Sequence, residues 1–283
     1  MAADRIPLTE AADRLGVHYM TAYRYVRTGR LPATRDGVQW MVDPADLDLL
    51  RSPAPRGRRG RRGRPVSRTA ELADRMVAGD EPGAWRIVEG VLASGAEPAD
   101  VYVDTIAAAL HDIGEGWAAN RLTVADEHRA AIVAHRLIGR LGPRFARPGR
   151  KRGTVVVGAA PGDHHGLPSI MLADLLRGAG FEVLDMGANP MDRSFADCAR
   201  KANRLVAVGI GATTAPGDLK IRAAIRAVRD AGIAAPILVG GAAVADEEHA
   251  RRLGADAWSG RDARTAVGAV ESCVAGAREG VGG

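Results

Sequence analysis

The sequence predicts a multidomain chain: a winged helix-turn-helix head, then a four-helix bundle, then a doubly wound parallel α/β sheet of the flavodoxin or Rossmann kind. Three observations carry this. Composition breaks over Arg51–Arg68, RSPAPRGRRGRRGRPVSR, which is Arg, Gly, Pro and Ser with almost nothing to bury. Hydrophobic spacing over 69–148 is helical, divided by Gly and Pro. From Thr154 onward short β-branched runs alternate with amphipathic stretches, the pattern of repeated βα units. The predicted domains are therefore residues 1–51, a linker over 52–68, 69–148 and 149–283.

In the head, Leu8–Val17 reads as a short amphipathic helix ended by Gly16, and His18–Thr28 as a second helix closed by Gly29. Thr34–Trp40 contains Asp36-Gly37 between two extended pieces, a hairpin signal. Asp43-Pro44 opens a last helix through Leu50, with Asp as N-cap and Pro in the first turn. On the second helix Ala22, Tyr25 and Val26 form the inward stripe, which turns Tyr19, Thr21, Arg24 and Arg27 outward. A recognition helix meets the major groove with such a face, and Arg35 lies on the hairpin beside it. A plain three-helix domain with a solvated Arg face has the same pattern.

Charge separates these alternatives. Residues 1–68 hold 14 Lys and Arg against 7 Asp and Glu, whereas the remainder of the chain holds 25 against 27. The positive excess is thus confined to the head and linker, which points to a polyanion partner, double-stranded DNA. Two cysteines, Cys198 and Cys273, cannot build a disulfide framework or a four-ligand zinc site, which fits a reducing cytoplasm. No apolar run approaches the roughly 18 residues of a membrane span, and the first residues lack the apolar core of a secretion signal.

Helices are predicted over Thr69–Ala78, Gly83–Ser94, Pro98–Trp117 and Thr123–Gly139. Strands are predicted over Thr154–Val157, Glu182–Met186, Leu205–Gly209, Ile237–Val239 and Ala257–Ser259. Ligands of doubly wound sheets bind beyond the carboxyl ends of the strands, next to the first. The loop there reads Ala159-Ala160-Pro161-Gly162-Asp163-His164-His165-Gly166-Leu167-Pro168. A neutral imidazole can give one ring nitrogen to a metal while a carboxylate accepts the other N–H, and Asp163 with His165 suits that arrangement. Taken alone, Asp-x-His in a Gly-rich loop more often serves capping or turn chemistry than a metal site.

The first block resembles the MerR and excisionase-type DNA-binding domains in its order of helix, tight turn, helix, hairpin and helix. The last block resembles the cobalamin-binding Rossmann-like domain, whose signature is Asp-x-His-x-x-Gly, then Ser-x-Leu, then Gly-Gly. Asp163 and His165 match the first element, and Gly240-Gly241 match the last. Pro168 stands at the first element's Gly, and Gly211 and Thr213 stand at the Ser and Leu. The resemblance implies that His165 ligates cobalt from below, flanked by Asp163, His164 and Gly166. It also implies a slot for the nucleotide tail lined by Gly211, Thr213, Thr214, Gly240 and Gly241. Without a Cβ, Gly240 and Gly241 would let a flat base lie on the backbone, or else simply allow a tight turn.

In the bundle, Trp117 is followed after nine residues by Glu127-His128, and Thr123-x-x-Asp126 reads as a capping box. Val124, His128, Ile132 and His135 fall on one face of the last helix, which predicts that His128 points inward. This Trp-x9-Glu-His pattern resembles the cap of CarH-type cobalamin photoreceptors, although Ala118 replaces the His that some members carry after the Trp. An aromatic core residue and an exposed helix-start Glu are the simpler account of it. The resemblance implies adenosylcobalamin as cofactor, with Trp117, Glu127 and His128 at its upper face. It also implies a non-enzymatic, light-responsive transcriptional regulator, a homo-oligomeric dimer or tetramer that binds DNA. A light-independent cobalamin sensor and a corrinoid carrier in methyl transfer are the alternatives.

Overall fold

The structure, a computed structural model, describes residues 5–17, 19–27, 31–36, 39–51, 68–214 and 217–279. Residues 52–67, nearly all of the Arg-rich linker, lie outside the described set. The chain divides into two compact units: residues 1–66 with 114–123, and residues 67–113 with 124–283.

In the first unit, β1 (Ile6–Pro7) leads into α1 (Leu8–Leu15) and α2 (Tyr19–Arg27), followed by β2 (Ala33–Asp36), β3 (Gln39–Val42) and α3 (Pro44–Arg51). Gly16 ends α1 at φ 67°, and its N–H reaches back to the carbonyls of Ala12 and Asp13. Leu8, Ala11, Ala12, Ala22, Tyr25, Leu31, Val42 and Leu47 form the core. The inward stripe Ala22, Tyr25, Val26 is therefore found, with Val26 at its edge. β3 pairs antiparallel with β1 and β2, and Asp36 stands opposite Gln39. Asp36 is the last ladder residue of β2, and Gly37 and Val38, on which the expected Asp-Gly turn falls, lie outside the described residues. Asp43 caps α3 by accepting from Ala45 N at 2.9 Å. The stretch 114–123 belongs to the same unit, and Asn120 Nδ2 donates to Tyr25 Oη at 2.5 Å.

The second unit begins with α4 (Arg68–Ala78) and α5 (Glu81–Ala93). Asp80 caps α5 by accepting from Gly83 N at 2.9 Å. Next, α6 (Pro98–Asp100) runs through a π-helical segment (Val101–Ala107) into α7 (Ala108–Ala118), whose residues from Gly114 onward belong to the first unit. α8 (Val124–Leu141) follows and ends in a 3₁₀ turn, Gly142–Phe145. α4 packs on α5, α8 and the π segment. The expected helix over Pro98–Trp117 is thus found as α6, a π segment in its first half and α7 in succession, a feature that hydrophobic period alone does not reveal.

The sheet holds β4 (Thr154–Ala159), α9 (Leu167–Gly178), β5 (Glu182–Asp185), α10 (Asp192–Lys201), β6 (Leu205–Gly211), α11 (Asp218–Asp230), β7 (Ile237–Gly240), α12 (Glu247–Leu253), β8 (Ala257–Trp258) and α13 (Ala263–Glu279). All five strands are parallel in the order β5-β4-β6-β7-β8, the doubly wound arrangement. Period-2 alternation assigns the two faces. Val155 and Val157 pack with Leu176, Phe181, Leu238 and Val270 under α9 and α13. Val156 and Val208 pack with Phe195, Ile221, Ile225 and Leu253 under α10, α11 and α12. The strand order places the turn after β4 at the switch between β5 and β6, where the sequence argument located the candidate ligand loop.

Candidate functional site

Three loops at the carboxyl edge of the sheet meet around Asp163. Asp163, in the loop after β4, has no solvent exposure at all. Its Oδ1 accepts from His165 N at 3.0 Å and from His165 Nδ1 at 2.8 Å. From the end of β6, Thr213 N donates to Oδ2 at 2.6 Å and Thr214 N at 3.3 Å, while Thr214 Oγ1 reaches Oδ1 at 3.4 Å. From the end of β5, Asn189 N donates to the Asp163 carbonyl at 2.8 Å, and Asn189 Oδ1 accepts from Gly162 N at 2.7 Å. Burial alone would push the Asp163 carboxyl up. The hydrogen bonds from the His165 ring and from the Thr213 and His165 amides outweigh it together and hold the group below the usual carboxylate range.

The consequence for His165 is chemical. A proton on Nδ1 is fixed toward an ionised carboxylate, which leaves the lone pair on Nε2 and raises its basicity. The His165 side chain is 47% exposed while its carboxylate partner is sealed below it. That is the geometry of a metal-donating imidazole with a buried orienting group. His164 is exposed, and Gly166 precedes α9. Gly211 ends β6 and is exposed.

Gly240 and Gly241 are enclosed by the protein's own backbone, in keeping with the tight-turn alternative of the sequence reading. A Cβ on Gly240 would run into Ser259 Oγ and would stand 2.5 Å from the Gly260 carbonyl. One on Gly241, at φ 100°, would stand 2.5 Å from the Ala212 carbonyl. The space is filled by neighbouring backbone, and Gly241 N donates to Gly260 O at 2.8 Å. The protein's own β-edge therefore demands both glycines before any ligand is considered. Beside them, Trp258 pairs in register with Val239 at the end of β8. Among the described residues its Nε1–H is the buried side-chain polar group without a hydrogen-bond partner. A buried orphan donor costs about 1–3 kcal/mol, so an acceptor supplied by a bound molecule would complete this edge.

On the helical side, Trp117 is partly buried in the last turn of α7. Glu127 and His128 occupy the first turns of α8. His128 Nδ1 lies 2.8 Å from Val124 O and 3.1 Å from Glu127 Oε2. The inward orientation expected for His128 is not what the structure has: its side chain is 73% exposed, and Val124 and Ile132 are 42% and 58% exposed. The buried stripe of α8 is Ala130, Val133, Ala134, Leu137, Ile138 and Leu141. At 100° per residue this lies nearly opposite the 124/128/132 line. Bulky Val124 and Ile132 suggested a core face in the sequence, whereas the core of α8's first half is lined by small alanines.

Two connections missed by sequence reasoning join the helices to the sheet within the second unit. Tyr102 on the π segment is fully buried, and its Oη lies 2.8 Å from Asp174 Oδ2 and 3.0 Å from Ile138 O. Arg177 Nη1 donates to Asp174 Oδ1 at 2.7 Å. Burial first, and the Asp174 carboxylate next, push the Tyr102 phenol far above its ordinary value. At the surface, Arg264 of α13 donates to Asp100 at 2.6 Å and to Asp104 at 2.8 and 2.9 Å. One signal was available: Asp174 interrupts the otherwise apolar Met171–Leu176 run.

On the head, Tyr19 is 39% exposed and stacks on Tyr23 with ring centroids 6.3 Å apart. Thr21, Arg24 and Arg27 lie on α2 and Arg35 on β2, but their side chains fall outside the described set.

Three stretches of the chain match known families. Residues 69–141 and 153–270 match two family models, each described as a B12 binding domain, and residues 8–51 match a helix-turn-helix domain. Among curated proteins, a trimethylamine corrinoid protein of Methanosarcina acetivorans is 26% identical over 67% of this chain and 89% of its own length. A dimethylamine corrinoid protein of Methanosarcina barkeri is 28% identical over 67% of this chain and 89% of its own. The solved structure of the Methanosarcina barkeri monomethylamine corrinoid protein superposes with a TM-score of 0.63 at 18% identity, over 72% of this chain and 98% of that one. That likeness concerns the fold. Together the matches support cobalamin binding by a chain that also carries a helix-turn-helix domain.

Proposed function

We propose that this cobalamin-binding chain is a non-catalytic, light-responsive transcriptional regulator that uses adenosylcobalamin and binds double-stranded DNA. The observation that carries the reading is the presence on one chain of a helix-turn-helix match at 8–51 and B12-binding matches at 69–141 and 153–270. The first of these is a stretch of sequence separate from the one that holds the ligand loop, as expected for a head that reads DNA and a body that senses.

The residues present fit the cofactor on two counts. His165 has its Nδ1 directed to a buried carboxylate, and Trp258 offers a buried donor lacking a protein acceptor. When bound, adenosylcobalamin supplies a cobalt centre whose upper bond to carbon is labile to visible light. In this reading His165 Nε2 donates to cobalt, and Asp163 fixes the ring with the help of Thr213 and Thr214. Gly211, Gly240 and Gly241 shape the adjoining edge. Trp117, Glu127 and His128 are assigned to the upper side, and an exposed His128 face is compatible with a surface that a ligand or a second copy covers. The head, with β2 and β3 as its wing, presents Tyr19, Thr21, Arg24, Arg27 and Arg35 to DNA. Several heads held by one homo-oligomer gain affinity through effective concentration, with no new contact per head. The ligand shifts this equilibrium only by its differential affinity for the two arrangements.

Among the described residues no helix is long and apolar enough to cross a membrane. The test is gel filtration and operator gel shift of the adenosylcobalamin-loaded protein, in darkness and after green illumination. A change in size together with DNA binding is expected. A response to adenosylcobalamin supply that is identical in dark and light would make the chain a light-independent sensor.

A second reading is favoured by the relatives, which are named trimethylamine and dimethylamine corrinoid proteins. In it the helices and sheet carry a methyl group between proteins. The helix-turn-helix domain has no role in such a carrier, and methyl transfer from loaded protein to a thiol acceptor would identify it.

A further inference from the structure

The edge of the sheet opposite the His165 loop carries a concentration of cations that the cofactor site does not use. The segment Arg144–Gly153 contains Arg144, Arg147, Arg150, Lys151 and Arg152 and no carboxylate. It enters β4 from the amino end, whereas Asp163 and His165 follow the carboxyl end. Arg147, Arg150, Lys151 and Arg152 line an open pocket of about 300 Å³, closed on one side by Ala179 and Gly180 at the end of α9.

The individual contacts divide these cations into two kinds. Arg152 is structural: it bonds Glu271, donates to Ala179 O at 3.2 Å and lies 4.5 Å from the Phe181 ring centroid. Arg204 is also tied down, donating to Lys151 O at 3.2 Å and Arg152 O at 3.4 Å, so it braces the segment. The others are barely committed. Arg147 reaches Gly178 O only at 3.4 Å, and Lys151 Nζ bonds the Arg147 carbonyl. Arg150 is exposed and has no hydrogen bond or ion pair among the described residues. Of the pocket's four cations, one is neutralised by a carboxylate. Exposed cations gathered without counter-charge repel one another, and a polyanion relieves that repulsion.

We propose that Arg147, Arg150 and Lys151 form a second DNA-contacting surface, which binds phosphates of the duplex that the helix-turn-helix head holds. This rests on the proposed DNA-binding function. An extended backbone is favoured over a small anion because Arg147 and Arg150 are exposed with Lys151 half-buried beside them, and the neighbouring amide Arg152 N is spent on Gly180 O instead of facing a ligand. Any duplex gripped by residues 8–51 is covalently tethered to this surface, which makes weak phosphate contacts effective. Such contacts add affinity without sequence preference.

The test uses the full chain, a labelled random-sequence duplex and a salt titration followed by fluorescence anisotropy. Each phosphate contact contributes about 0.9 to the slope of log affinity against log salt. Replacing Arg147, Arg150 and Lys151 together by Ala should make the slope shallower by about 2.7. Equivalently, the affinity lost between about 50 and 200 mM salt shrinks roughly 40-fold. Cobalamin uptake, read from the absorption spectrum, should stay unchanged. A parallel variant in the head, Arg24→Ala with Arg27→Ala, separates the two claims. If the head variant weakens binding while the triple variant keeps the wild-type slope, the second surface is refuted and the DNA-binding reading stands. If neither variant alters binding, both fail. Calorimetric binding of inorganic phosphate to the wild type but not to the triple variant, with an unchanged slope, would reassign the pocket to a small anion and overturn the proposal.

Discussion

Replacing Asp163 by Asn tests the central feature of the sheet's carboxyl edge without changing its shape. The carboxylate accepts on both oxygens: His165 N and Nδ1 on Oδ1, Thr213 and Thr214 amides on Oδ2. Asn retains one acceptor and must turn an NH₂ toward donors on the other side. Hydrogen bonds to a charged group contribute about 1.5–3 kcal/mol each, and an orphaned buried group costs about 1–3. The variant should therefore lose about 2–4 kcal/mol of stability at neutral pH, since one side is retained and part of the other relaxes. The pH dependence provides an internal check. The folded state holds the Asp163 carboxyl below its ordinary 3.8, so its contribution is complete above that value. It fades as pH falls through the lower folded value, because the protonated acid, like Asn, places a donor against donors. Urea unfolding of cofactor-free wild type and Asp163→Asn, followed by circular dichroism from neutral to acid pH, measures both effects. Midpoints that coincide at neutral pH, or a gap that does not narrow in acid, would refute the hydrogen-bonded account of this residue.

Three other outcomes are expected. His165→Ala should alter the cobalt absorption spectrum of loaded protein, while cofactor-free stability changes by less than in Asp163→Asn, because the His165 ring is half exposed. Tyr102→Phe removes the phenol that meets the buried Asp174 and should destabilise the protein by about 1–3 kcal/mol, read as a lowered thermal midpoint. Gly241→Ala places a Cβ against the Ala212 carbonyl at φ 100° and should destabilise the cofactor-free protein by about 1–3 kcal/mol. Weakened cobalamin uptake with unaltered cofactor-free stability would instead show that this glycine serves only the ligand.

The parts of the fold governed by local pattern were legible in the sequence. All five strands and their parallel order follow from β-branched runs spaced by amphipathic helices, and Asp163 with His165 follows from a two-residue spacing at a strand end. What escaped depends on tertiary neighbours. The face of α8 was misread because Val124 and Ile132 are bulkier than Ala130 and Ala134, and size in sequence does not say which side is covered. The reason for Gly240 and Gly241 lies in Ser259, Gly260 and Ala212, residues that reach them only through the sheet. The π segment and the Tyr102–Asp174 contact, 72 residues apart in the chain, leave only an acidic interruption in α9 as a trace.

The joint between helices and sheet has unequal parts, and their magnitudes decide which one matters. Arg264 bridges Asp100 and Asp104 with all three side chains more than two-fifths exposed, so water and salt screen the pairs to less than about 1 kcal/mol each. Tyr102 and Asp174 are both buried, and there the loss of one partner leaves a carboxylate short of a donor in a medium of low polarity. The buried contact is therefore the one that fixes the π segment against α9. That helix starts immediately after the His165 loop, and Asp174 sits about 10 Å along it from Leu167. The helix that follows the His165 loop is therefore held at its middle, through Asp174, to the wide segment that carries Tyr102.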